Sequence, residues 1–105
     1  MVGQGDIIKI NLNPVSGHEQ AGYRPALVIS NDTFNRNTNL VIVAPITTND
    51  NGFPLHIFLD EKETKGYVLC EHLRTLDIKS RGYKFIEKIS DNKLDEILFV
   101  IKNEF

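Results

Sequence analysis

The alternation of apolar and polar side chains divides the chain into short segments of strand character separated by turn residues. That spacing predicts a mainly β fold, a small barrel or sandwich rather than a parallel α/β sheet. In GDIIKINL, Ile8, Ile10 and Leu12 share one face while Ile7, Lys9 and Asn11 share the other, the pattern of a half-buried strand. The runs ALVI (26–29) and LVIVA (40–44) are apolar throughout and read as central strands covered on both sides. Between them NDTFNRNTN has the Asn and Asp content of a connecting loop, and Pro45 stands where the second run ends because it cannot donate to a ladder.

Asn51-Gly52 is a turn signal, and LHIFL after it sets Leu55, Ile57 and Leu59 on one face with His56 and Phe58 on the other. DEKETKG (60–66) reads as a charged turn, YVLCEHLRTLDI as one further strand, KSRG as a turn and YKFIEKI as the last strand. The period then changes. Leu94, Ile97, Leu98 and Ile101 fall on one stripe of a helix whose start is marked by Ser90 or Asp91, and which would lie over an open end or face of the barrel. With no repeat, linker or low-complexity tract, 105 residues predict one domain, 1–105.

Composition changes this picture little: 41% hydrophobic and 25% charged residues belong to an ordinary soluble globule, and no apolar run approaches a membrane span. MVGQGDIIKI has neither the basic opening nor the long apolar stretch of a signal peptide, so a cytoplasmic location without a membrane partner is expected. A net charge of −2 gives no global attraction for a polyanion. Locally the balance reverses, since Lys79, Arg81, Lys84 and Lys88 against Glu87 make residues 79–88 +3. A solvated hairpin with outward lysines accounts for that as readily as a nucleic-acid patch does.

Several chemistries are disfavoured by what is missing. Cys70 and His72 in CEH would share a face on a strand, but neither His56 nor His18 completes a metal-ligand set at a usual spacing, so no metal or other cofactor is expected. Glu71 beside Cys70 would raise the thiol pKa and oppose a nucleophilic role. No Gly-x-Ser-x-Gly elbow is present, and GQG (3–5) precedes a strand, so it is no phosphate loop.

GHEQAGYRPALVIS (17–30) is different: a glycine-containing polar loop ends in a single guanidinium, Arg24, at the mouth of an apolar strand. A plain ion pair with Glu19 or Asp6 would explain it. So would phosphate binding, for which a forked, permanently charged group is well suited. PITTND offers the hydroxyls of Thr47 and Thr48 at the end of the other central strand. If those strands are antiparallel neighbours, Arg24 and Thr47 lie at the same end of the sheet.

Taken together, GDIIKINLNPVSGHEQAGYRPALVIS, VAPITTN, GFP, HLRTLD and the terminal helix resemble, in order and over essentially the whole chain, the MazF/PemK family of toxin endoribonucleases. The GHEQAGYRP loop and PIT are the most specific pieces. The resemblance implies an SH3-like β-barrel with appended helices, a homodimer, and metal-independent cleavage of single-stranded RNA, often messenger RNA, to a cyclic phosphate and a 5′-hydroxyl. It also implies a cognate antitoxin whose acidic segment occupies the RNA site. By the same resemblance Arg24, Thr47 and Glu19 are the catalytic candidates, and His18, Gln20, Glu71 and His72 match groove positions. Thr48, His56, Lys79 and Arg81 join these as candidate RNA contacts. His18, Glu19 and His56 are the groups whose chemistry could supply a base. The same barrel also serves gyrase-binding toxins, which would use apolar residues at the C-terminal end such as Phe105, and a non-catalytic barrel that only binds single-stranded RNA or protein is a third reading.

Overall fold

The computed structural model describes residues 2–12, 22–49, 52 and 54–105. Along the chain run β1 (Asp6–Asn11), β2 (Tyr23–Val28), α1 (Asp32–Thr38), β3 (Leu40–Thr47), β4 (His56–Asp60), β5 (Lys65–Leu69), β6 (Arg74–Asp77), α2 (Ile78–Arg81), β7 (Lys84–Lys88) and α3 (Asp91–Asn103). The strands form one curled antiparallel sheet in the order β4-β5-β3-β2-β1-β7, with β6 pairing β3 beside β5. The sheet curls into a half-barrel, in keeping with the mainly β fold that the alternation predicts and the C-terminal helix that the change of period predicts.

The strands β2 and β3 are central, as their continuous apolar runs require, and each contributes to two apolar clusters on opposite faces of the sheet. Ile7, Leu27, Ala44, Ile46, Ile57, Leu59 and Val68 are covered by α3, which inserts Ile97 and packs Leu94, Leu98 and Ile101 against them. Fully burying one such side chain contributes roughly 1.5–3 kcal/mol. On the other face Ile8, Ile10, Ala26, Val28, Val41, Val43 and Leu76 form a second cluster, against which Ile78 of α2 packs. The strand β1 is therefore buried on both faces rather than one: Ile7 and Asn11 are both buried, and only Lys9 is exposed. Ser90 caps α3 by accepting from the Lys93 amide at 3.3 Å, in line with the start read from the sequence.

Two segments depart from the sequence-based expectation. NDTFNRNTN is not a loop throughout, because Asp32–Thr38 form a helix. The Asn31 side chain accepts from the Phe34 amide at 2.8 Å, and Asn39 ends the helix in the left-handed conformation at φ 59°. Asn35 is buried against Ser30, donating to its carbonyl at 3.2 Å and contacting its hydroxyl, while that hydroxyl accepts from the Ile42 amide at 2.9 Å. Capping and one polar anchor replace the apolar stripe that periodicity would have detected. YVLCEHLRTLDI is likewise not one strand: a turn at Cys70-Glu71 breaks it into β5 and β6, and KSR after it belongs to the short helix α2 rather than to a turn.

Candidate active site

The strands β2 and β3 pair antiparallel as Ala26↔Pro45, Leu27↔Ala44 and Val28↔Val43. Continued by two residues, that register sets Arg24 across from Thr47. The ladder stops short of them, at the point where Pro25 and Pro45 both lack an N–H. Arg24 stays on the sheet through β1, opposite Ile10, while Thr47 passes to β5, opposite Tyr67. The two polar side chains thus end neighbouring strands at the same end of the sheet, on one face, where the strands have parted.

Arg24 is exposed, and its guanidinium makes no hydrogen bond or ion pair with another described residue. Of the two carboxylates that could have neutralised it, Asp6 is turned elsewhere, accepting from the Gly3 amide at 2.8 Å and lying 3.8 Å from Lys88 Nζ. Glu19, with His18 and Gln20, lies outside the described residues. The Thr47 hydroxyl accepts from the Asn49 amide at 3.1 Å, which orients the oxygen and leaves its proton to be donated outward. Thr48 is exposed at the bend that follows. A guanidinium and a donor hydroxyl are each suited to hold an oxygen of an anion.

Thr47 also lines an open cleft of about 640 Å³, with Asn49, Gly52, Pro54, His56, Leu69, Glu71 and His72. The charged wall is built by the Cys70-Glu71 turn. Glu71 Oε2 lies 2.7 Å from His56 Nε2 and 3.7 Å from His72 Nε2. Burial acts to raise the Glu71 pKa, but the hydrogen bond from His56, the backbone amide and the proximity of both histidines outweigh it and hold the carboxyl below its ordinary range. Glu71 Oε1 is buried with no hydrogen-bond partner among the described residues. The side chain of His56 is only 6% exposed and its Nε2 is engaged, so it orients Glu71 rather than standing open to a substrate. His72, at 62%, is the exposed histidine of the wall.

The same turn separates Cys70 from His72. Cys70 is buried in the core, and burial with the nearby Glu71 charge pushes its thiol up to about 11, so it is inert at neutral pH. The expectation that Cys70 and His72 share a strand face is therefore incorrect. Among the described residues no group of His, Cys, Asp and Glu is arranged to hold a metal ion.

The basic segment divides. Arg81 donates from Nη1 to the Asn11 carbonyl at 2.7 Å, clasping α2 to the end of β1, where Asn11 pairs with Tyr23 beside Arg24. Lys79 is exposed on α2. Lys84 pairs with Lys9, which is itself opposite Pro25, so it faces the side of the sheet away from Arg24. Sequence reasoning did not single out Asn49, Pro54 or Leu69, whose roles depend on how β3, β4 and β5 come together. No helix among the described residues is long and apolar enough to cross a membrane.

The sequence and the fold have close parallels among known proteins. Residues 3–105 match the family described as PemK-like, MazF-like toxins of type II toxin-antitoxin systems. The endoribonuclease PemK of Escherichia coli is 37% identical over 100 residues, covering 90% of this chain and 75% of that protein. Crystal structures of MazF and of a MazE–MazF complex from Deinococcus radiodurans each superpose with a TM-score of 0.84 at 32% identity, covering 98% of this chain and 94% of theirs. With residues 3–105 matched and the fold superposing over nearly its whole length, the chain belongs to the PemK-like, MazF-like toxin family of type II toxin-antitoxin systems.

Proposed function

We propose that the chain is an endoribonuclease that cuts single-stranded RNA, messenger RNA included, at the Arg24–Thr47 strand ends. The observation that carries this is the exposed guanidinium of Arg24, without an ion-pair partner among the described residues, at the same end of the sheet as a hydroxyl already oriented by the Asn49 amide. In the reaction the ribose 2′-oxygen attacks the adjacent phosphorus and loses its proton to a base. The P–O5′ bond breaks, O5′ takes up a proton, and the products are a 2′,3′-cyclic phosphate and a 5′-hydroxyl. Arg24 stabilises the charge that develops on the phosphorane and supplies the proton to O5′, while Thr47 donates to a non-bridging oxygen. Being already protonated, the guanidinium cannot serve as the base, although it can give a proton to the more basic departing O5′. With His56 held against Glu71, Glu19 and His18 remain the better proton acceptors.

This chemistry needs no metal, because the developing charge is met by a fixed cation. RNA binding includes contacts from Gln20, Thr48, Glu71, His72 and Lys79, with His56 and Arg81 acting by holding Glu71 and the end of β1. The working form is a cytoplasmic homodimer, and a cognate antitoxin competes with RNA for the site through an acidic segment. The MazE–MazF complex of the Deinococcus relative supports an antitoxin partner here.

Incubation of the pure protein with a mixed RNA pool, followed by mapping of new 5′-hydroxyl ends, tests the proposal. Cuts at a recurring short sequence are expected, in chelator as well as without it, and none in the all-deoxy counterparts. Cleavage of the deoxy oligonucleotides, or activity lost in chelator and restored by a divalent ion, would contradict the mechanism. An uncut pool would instead favour a gyrase-binding toxin or, if the RNA is bound but not cut, a non-catalytic single-strand-binding barrel.

A further inference from the structure

We propose that Phe58 and Tyr67 form a stacking platform for an unpaired nucleobase beside the Arg24–Thr47 phosphate site, an inference that rests on the RNA-cleaving function proposed above. Cross-strand partners point to the same side of a sheet, and the register links Thr47 to Tyr67 and Tyr67 to Phe58 in one row across β3, β5 and β4. The next row is His56↔Leu69, and both of its members line the cleft. The aromatic pair therefore continues the cleft floor, one two-residue step of roughly 7 Å along β4. Strands about 4.8 Å apart put Phe58 roughly 10 Å from Thr47, so a single strand gripped by its phosphate can lay a neighbouring base on the rings.

The rings stand 5.2 Å apart, centroid to centroid, and 55° out of parallel, so that faces of both are not consumed by stacking on each other. Phe58 is 48% exposed. An aromatic pair serving only the ladder would gain by being covered, and β4 already anchors itself on the opposite face through buried Ile57 and Leu59. Asp60, the next residue of β4 on this face, is 3.6 Å from Lys65 Nζ, which offsets its repulsion of a polyanion. Sequence-tolerant stacking on such rings is the common way in which proteins hold unpaired bases.

The test is binding of a fluorescein-labelled 12-nucleotide RNA of randomised sequence, 2′-O-methylated so that it is not cut, against an abasic sugar-phosphate oligomer of the same length. Phe58→Leu and Tyr67→Leu keep apolar bulk and remove the π face. They are expected to weaken RNA binding about 5- to 100-fold and to leave abasic binding unchanged, with Phe58→Trp restoring affinity. Leucine variants that bind the RNA as tightly as wild type would overturn the platform while wild-type cleavage of the RNA pool left the nuclease function standing. A changed oligomeric state in those variants would also overturn it, assigning the rings to a contact between copies. If wild type cuts no RNA, the function and the platform fall together.

Discussion

The proposed roles of Arg24 and Thr47 rest on different kinds of availability: the cation has no carboxylate among the described residues to neutralise it, and the hydroxyl accepts from the Asn49 amide while donating to no described residue. Arg24→Ala is expected to lower the cleavage rate by at least about 100-fold, the scale for losing a group aimed at developing charge. Thr47→Val should cost on the order of 10-fold, the value of one hydrogen bond to a charged group. Both are read from initial rates on a single mapped site, with circular dichroism confirming the fold. The sequence places each of these residues at the end of an apolar run, but that the two ends meet is only conditional there and follows from the antiparallel pairing of β2 with β3. What is not legible is the His56–Glu71 contact, which joins β4 to a turn inside a segment that reads as continuous strand.

That contact makes its own prediction. The folded-state pKa of Glu71 is lowered relative to its ordinary 4.5, so the folded chain binds fewer protons there than the unfolded chain. Its stabilisation is therefore fully present above about pH 4.5 and is lost as the pH falls through the depressed folded value. Urea titrations of wild type and Glu71→Gln should differ at pH 7 and converge in acid. A difference that grew below pH 4.5 would contradict the assignment.

At the scale of elements, the site is positioned by how closely β5 approaches β3. A Cβ on Gly66 would fall 2.7 Å from the Thr47 carbonyl oxygen and 3.2 Å from Ile46 Cγ2, and the first of these is backbone that cannot swing away. Gly66→Ala is accordingly expected to cost about 1–3 kcal/mol in chemical denaturation, the range for forced overpacking, and to reduce cleavage by displacing Thr47. Asn31→Ala, by contrast, removes the N-cap of α1 and should cost about 1 kcal/mol while cleavage persists at native temperature.

These elements also mark the boundary of sequence legibility. The amphipathic stripe of α3 and the continuous runs of β2 and β3 are expressed in single-segment periodicity, and they form as read. The helix α1 has no such stripe, being fixed by Asn31, Asn35 and Asn39, each of which favours a loop when considered alone. The break between β5 and β6 leaves apolar Cys70 in the core, so the apolar pattern runs on through the turn without showing it. The position of Phe58 on the same face as His56 was visible in LHIFL, but its place next to the cleft required the pairing of β4 with β5.

At the scale of the whole molecule, a chain of net charge −2 must bind RNA through local rather than global attraction. Lys84 faces away from Arg24, and Arg81 is tied to the end of β1, so the basic segment 79–88 does not act as one patch. Few phosphate contacts then imply a shallow salt dependence. Binding of single-stranded RNA should show a log–log salt slope that falls by about 0.7 for each phosphate contact removed, and Arg24→Ala should remove one such step. An unchanged slope would place the phosphate elsewhere.

The central claim is that Arg24 and Thr47 act on one phosphate. Its most direct test is a double-mutant cycle of cleavage rates on one mapped RNA site, comparing wild type, Arg24→Ala, Thr47→Val and the double variant. Groups that serve the same transition state are non-additive, so the double variant is predicted to be scarcely slower than Arg24→Ala alone. Losses that multiply independently, or an Arg24→Ala variant that cuts as fast as wild type, would contradict the account.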